Sequence, residues 1–261
     1  MLGSEKDIAD SIRYASYIQA ALLPDLSEFQ KILPESFILN RPRDIVSGDF
    51  YWISRIRNRI VVLAADCTGH GVPGAFMSIL GINFLHQIVN HCVPESNKIL
   101  NRLREYVMKA LHQSGEEGEQ KDGIDMALCV IDLDKKWIEF SGANNHMIYF
   151  KDSMLEVVRA DRMPIGVSAL EEESFMKTVI PFDEIDSFYI FSDGYADQFG
   201  GENFKKLKFK GFKEILAEAN KLKIQNQRAK LEARLDQWKG ENPQIDDILV
   251  IGVELKKFKE A

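Results

Sequence analysis

The chain has no apolar run near the ~20 residues a bilayer-spanning helix requires, and its start carries no signal-peptide pattern. It has only three cysteines, Cys67, Cys92 and Cys129, with no C-x-x-C spacing. Neither a disulfide framework nor a cysteine-based zinc site follows, and a reducing, cytoplasmic setting is expected. Basic charge is also short: 33 Lys and Arg stand against 40 Asp and Glu, a formal net charge of -7. Without a basic stripe interleaved with aromatics, nucleic acid is not expected as a partner. The lysines over 205–213 and 256–259 read as solvated surface and a frayed end. His86, His91, His112 and His146 form no metal-binding spacing. Around Cys92 no arginine completes the C-x5-R loop of cysteine-dependent phosphoryl chemistry, and G-H-G-V-P-G-A lacks the Lys-Ser/Thr ending of a nucleotide-binding loop.

What is present is an ordinary globular balance, 45% hydrophobic and 28% charged over 261 residues, enough for one large domain. Residues 4–23 read as a helix, with Ser4 and Asp7 at capping-box spacing, a stripe of Ile8, Ile12, Ala15, Ile18 and Leu22, and a stop at Pro24. Short β-type runs follow at 36–40, 49–53 and 60–65, then helices at 73–90 and 96–113 and an acidic, Gly-rich loop over 114–123. A dense β region covers 126–131, 137–141, 147–150, 155–158 and 176–180. Two apolar strands, 187–192 and 248–253, bracket helices at 211–221 and 225–238. Strands joined by short turns argue for antiparallel pairing, and helices inserted in pairs argue for layers outside a two-sheet sandwich. The expected fold is α+β: an antiparallel β-sandwich flanked on both faces by helix pairs, in four αββα layers. Residues 1–24 are expected to form a linker or regulatory helix, 25–256 the domain and 257–261 a tail. A helix starting at once after Met-Leu-Gly-Ser is expected of a fragment of a longer protein.

Candidate chemistry lies in aspartates at strand ends. Asp49 stands in V-S-G-D-F-Y-W, Asp66 closes an apolar strand in V-L-A-A-D-C-T-G-H-G, Asp193 closes another in F-S-D-G-Y-A-D, and Asp246 and Asp247 open the last. A carboxylate at a rigid, buried strand end is costly unless paired or metal-bound. Any one Asp beside Gly is an ordinary turn residue; four at strand edges, three of them with glycine within three residues, point to hard oxygen ligands for Mg²⁺ or Mn²⁺ rather than zinc. Asn144 and Asn145, between two strands, read as hairpin-turn residues or, alternatively, as lining of the substrate cleft.

The ordered set G-D-F-Y-W (48–52), A-D-C-T-G-H-G-V-P-G-A-F-M-S (65–78), S-G-A-N-N (141–145), F-S-D-G-Y-A-D-Q-F-G-G (191–201) and D-D-I-L-V (246–250) resembles the SpoIIE-type bacterial branch of the metal-dependent (PPM) serine/threonine protein phosphatases. The resemblance runs from about Ile12 to Val253 and implies the sandwich read above. It implies that Asp66 bridges two Mn²⁺ or Mg²⁺ ions and that Cys67 contributes its backbone carbonyl. Asp193 and Asp246 would complete the set, with Asp247 as the alternative to Asp246 and Asp49 binding directly or through water. Asp197, joined by Asp122 or Asp125, would hold a weaker third ion. Leu249 stands where the family usually carries Thr or Ser. Arg43 is a candidate phosphate contact, and His70 either a general acid or a residue that structures its loop.

The implied activity is hydrolysis of phosphoserine or phosphothreonine on a bacterial signalling protein, such as an anti-sigma-factor antagonist, by a water activated between two metals. The domain would be the cytoplasmic output module of a signalling protein and would itself make no membrane contact. In related proteins the helix pair after the Asp66 motif moves and assembles or dismantles the metal site. Ile8, Ala15 and Leu22 recur at seven-residue spacing, with Ser11 and Ile18 between, so the N-terminal helix either pairs with a second copy or packs on its own domain. The alternative functions are a catalytically weak phosphoprotein-binding module and a two-metal hydrolase of small phosphoesters.

Overall fold

Alternation along the longest strands decides the architecture. A computed structural model describes residues 2–90, 92–115, 121–168 and 173–259. In chain order the elements are α1 (Leu2–Leu22), α2 (Leu26–Ile32), β1 (Ser36–Arg41), β2 (Phe50–Ile56), β3 (Arg59–Cys67), α3 (Gly71–Ile88) and α4 (Ser96–Ala110). Then follow β4 (Ile124–Asp132), β5 (Trp137–Ala143), β6 (Met147–Lys151), β7 (Met154–Val158), β8 (Thr178–Pro181) and β9 (Ser187–Phe191). The chain ends with α5 (Gly194–Asp197), β10 (Phe199–Gly200), β11 (Lys205–Lys206), α6 (Lys208–Ala219), α7 (Ile224–Lys239), β12 (Ile248–Glu254) and α8 (Lys256–Lys259).

Two five-stranded sheets run β2-β3-β4-β5-β8 and β1-β12-β9-β6-β7, antiparallel throughout. On β3, Val61, Leu63 and Ala65 meet the helices α3 and α4, while Ile60, Val62 and Ala64 face the other sheet. On β12 the same alternation sends Ile248 and Val250 towards α6 and α7, and Leu249, Ile251 and Val253 to the sandwich interior. Both faces of these strands are covered, so they read as unbroken apolar runs. The result is the expected four layers, with one apolar core between the sheets and one under each helix pair.

Local chemistry sets the element ends. The buried Glu139 carboxylate accepts from Ser96 N at 3.2 Å and so caps α4, satisfying one of its orphan donors. Between Pro24 and Pro34 lies α2, absent from the sequence expectation; seven residues are too few to show a helical period. Asp25 caps it by accepting from Ser27 N, and its Phe29 is buried edge-to-face on Tyr51. The expected loop over 114–123 falls partly on residues 116–120, outside those described, as does His91. Among the described residues no helix is long and apolar enough to cross a membrane.

Candidate active site

Strand ends from both sheets meet at one edge of the sandwich. Asp66 is the penultimate residue of β3, and the register sets it directly opposite Asp125 of β4. Two like charges facing across an antiparallel pair repel. From the other sheet come Asp193, just after β9, and Asp246, two residues before β12. Asp66, Asp125, Asp193 and Asp246 line one cavity of about 220 Å³ with Cys67, Thr68, Gly69 and His70. Asp49 lies buried behind this cavity, immediately before β2.

Backbones approach closely enough here to require glycine. A Cβ on Gly74 would stand 2.3 Å from the Gly69 carbonyl oxygen and 2.8 Å from the Gly48 Cα, so the start of α3, the Asp66 loop and the segment before Asp49 are stacked without room for a side chain. At Gly194 a Cβ would meet the Asp247 carbonyl oxygen at 2.0 Å. The glycines beside the aspartates thus serve the close approach that permits convergence.

The two adjacent aspartates of the last motif have different surroundings. Asp247 is buried and accepts from Arg43 N through Oδ1 and from Gly48 N through Oδ2, both at 2.7 Å. Its carboxylate therefore holds the 43–48 loop, while Asp246 faces the cavity. Ser192 Oγ donates to Asp49 Oδ2 at 2.5 Å and accepts from Leu249 N at 3.0 Å, tying three strand ends together. Thr68 locks the Asp66 loop to the start of β4 by exchanging hydrogen bonds with Gly123.

The electrostatics express crowding of like charge. Burial first, then the fields of Asp49, Asp193, Asp246 and Asp125, push the Asp66 carboxyl up to about 10. Asp193 rises to about 6 through desolvation and the fields of Asp197, Asp246 and Asp125. Asp49 is held well above the carboxylate range by burial, against the lowering bond from Ser192. Asp125 and Asp246 are raised by desolvation too. Burial and the neighbouring carboxylates also push the Cys67 thiol up, the reverse of what a nucleophilic thiolate needs.

Residues 57–256 match the family of stage II sporulation protein E (SpoIIE). The chain belongs to this family. It superposes on the SiaA-PP2C domain of Pseudomonas aeruginosa with a TM-score of 0.86 at 28% identity, over 97% of this chain and 99% of that one. The PP2C phosphatase domain of SpoIIE from Bacillus subtilis, solved with a fragment of its regulatory domain, gives 0.66 at 17% identity over 84% and 62%. The PPM Ser-Thr phosphatase MsPP from Mycobacterium smegmatis, in complex with cacodylate, gives 0.57 at 11% over 85% and 98%. No curated protein matches the chain in sequence. This SpoIIE-family chain is a serine/threonine protein phosphatase of the PPM type.

The donor set of the SpoIIE-family site fits hard divalent cations. Carboxylate oxygens dominate the cavity, and the nearby basic side chains already have partners: among the described residues His70 Nδ1 lies 3.0 Å from Asp44 and Lys206 pairs with Asp197 at 2.5 Å. Among those residues no three His, Cys, Asp or Glu side chains close around a single point; the carboxylates line an open cavity, as uncompensated like charges should.

Of the other expected residues, His70 lines the cavity, and Arg43, Asp122 and Asn144 do not. Arg43 sends its guanidinium to the Ile245 carbonyl at 3.0 Å. His70 Nδ1 lies 3.0 Å from Asp44 Oδ2, which links the His70 loop to the 43–48 loop. Asp122 offers its backbone carbonyl to Gln113 at 2.7 Å. Asn144 sits in the β5–β6 turn at φ 57° and donates to Asp125 at 2.8 Å. Sequence reasoning missed two residues. Ser192 carries a signal in hindsight, a hydroxyl at the end of the all-apolar run 188–191. The other is Gln19 of α1, buried against Ser47 and Ser78.

Proposed function

We propose that this domain hydrolyses phosphoserine or phosphothreonine on a bacterial signalling protein, with an anti-sigma-factor antagonist or similar small regulator as substrate. The observation that carries the reading is the convergence of Asp66, Asp125, Asp193 and Asp246 on one open cavity whose lining, among the described residues, includes no lysine or arginine. Two Mn²⁺ or Mg²⁺ ions would be held by Asp66 between them, by Asp193 and Asp246, by the Cys67 carbonyl, and by Asp49 directly or through water. Such cations supply the charge that activates water towards phosphorus and neutralises the phosphoryl oxygens.

The chain's own residues build the setting. Ser192 and the loop held by Asp247 fix Asp49 behind the cavity. The stacked glycines hold the Asp66 loop against the N-terminal end of α3, and a helix N-terminus favours an anion. An open site suits a phosphorylated side chain presented on a protein surface.

Residues 1–24 form, in this proposal, a regulatory helix, with the phosphatase domain over 25–256 and a tail over 257–261, the whole acting as the output module of a longer signalling protein. Ile8, Ile18 and Leu22 are exposed on α1, which supports pairing of this helix with a second copy. Gln19 links α1 to Ser47 and to Ser78 of α3, which supports a bias on the helix pair α3–α4.

The test is turnover with Mn²⁺ or Mg²⁺ on phosphoproteins from the same genome, on a phosphopeptide and on p-nitrophenyl phosphate. Metal-dependent release from a phosphoprotein at the highest kcat/KM supports the proposal. Release from small esters alone, or phosphoprotein binding without release, overturns it.

A further inference from the structure

Asp197 and Lys206 pair just outside the lining of the acidic cavity, close enough that the charge of Asp197 acts on Asp193. The single turn of α5 sets Asp197 one helical turn after Asp193, with Asp197 N donating to Asp193 O at 3.0 Å. Residues at this spacing share a helix face. The next segment folds back as the β10–β11 hairpin, whose register sets Lys206 opposite Phe199. Lys206 Nζ then lies 2.5 Å from Asp197 Oδ2 and 6.0 Å from the centre of the Phe199 ring.

This hairpin is anchored at several points. Leu207 N donates to the Gln198 carbonyl at 3.1 Å, Gly201 N to the Trp238 carbonyl at 2.9 Å, and Trp238 Nε1 to the Gln198 carbonyl at 2.9 Å. Phe199 and Phe204 stack at 5.1 Å. The lysine is therefore delivered by a fixed backbone, although its side chain stays 42% exposed. Asp197 acts on it most strongly, and the charges of Asp193 and Asp246 reach it as well, all raising its pKa.

We propose that Lys206 is a resident cation of the site: its ammonium occupies Asp197, so the cavity takes two divalent cations and excludes a third. The inference rests on the two-ion reading above. A divalent ion at Asp197 would have to displace the ammonium or sit against a like charge. The lysine thereby supplies fixed positive charge just outside the cavity lining.

The experiment counts Mn²⁺ bound per chain by native mass spectrometry and equilibrium dialysis, without reference to turnover. Wild type is expected to bind two ions, Lys206→Met three, and Lys206→Arg two. Asp197→Asn combined with Lys206→Met should return the count to two. Thermal melting of each metal-free variant checks folding, which a half-exposed side chain on a two-residue strand should leave intact. Three ions in wild type, or no gain in Lys206→Met, overturns this proposal while leaving the two-ion reading standing. Fewer than two in wild type overturns both.

Discussion

The side-chain amide of Gln19 grips the backbone of Ser47 with both ends: Nε2 donates to the Ser47 carbonyl at 2.6 Å, and Oε1 accepts from Ser47 N at 3.1 Å. Ser47 lies two residues before Asp49. The same Nε2 also donates to Ser78 Oγ on α3 at 2.8 Å. One buried side chain thus connects the N-terminal helix to the loop entering the site and to the helix leaving it.

Removing that connection should be felt at the site. Gln19→Leu leaves a buried N–H and carbonyl unsatisfied, a cost of about 1–3 kcal/mol per group. We expect a lower melting temperature and weaker Mn²⁺ binding. A metal titration that superimposes on wild type would show that the grip only packs the helix.

Truncation tests the outer side of the same helix. Ile8, Ile18 and Leu22 are exposed along the seven-residue seam, whereas Gln19, at helical spacing from Ile12 and Ala15, is buried against the domain. Deleting residues 1–23 should leave a folded domain with weaker self-association by sedimentation and an altered metal affinity. Superimposable sedimentation and metal-binding curves would sink the dimerisation proposal.

Cys67 gives a separate discrimination. Its side chain is buried and its thiol is pushed up in pKa, so a role through the backbone carbonyl predicts that Cys67→Ser keeps most of the activity. Complete loss with metal still bound would indicate thiol chemistry.

The raised carboxyl pKa values fix the sign of a pH effect. For Asp193 the folded value, about 6, lies above the ordinary 3.8, so the folded state holds the proton more tightly than the unfolded chain. Its stabilising contribution is complete below about pH 3.8 and is lost as pH rises through about 6. The metal-free protein should therefore lose stability across that window, and Asp193→Asn should flatten the slope in melting scans. Cation binding displaces these protons, so metal affinity should tighten with rising pH. A metal-free melting temperature that climbs through the window in wild type would contradict the assigned electrostatics.

Much of this was legible in the sequence because covered strands leave strong patterns. The runs 60–65 and 248–253 are apolar without a break, since alternate residues enter different cores. Asp66, Asp193 and Asp246 stood out as carboxylates at the ends of such runs, with glycine close by Asp66 and Asp193. What escaped depends on tertiary contact. Gln19 lies within the apolar stripe of α1, at helical spacing from Ile12 and Ala15, but as a polar residue it gave no sign of burial, while the stripe's Ile8, Ile18 and Leu22 stay exposed. Lys206 read as one lysine of a solvated cluster until the hairpin returned it to Asp197. Single-turn α5 and the two-residue strands β10 and β11 are too short to carry a period at all.

The most direct test of the central claim is Mn²⁺-dependent phosphate release by the wild-type chain and by Asp66→Ala and Asp193→Ala, with metal binding and melting recorded on the same samples. The account predicts near-complete loss of release in both variants, weakened Mn²⁺ binding, and a metal-free fold as stable as wild type or more so, because a crowded like charge has been removed. Wild-type turnover in either variant at saturating Mn²⁺ would contradict it.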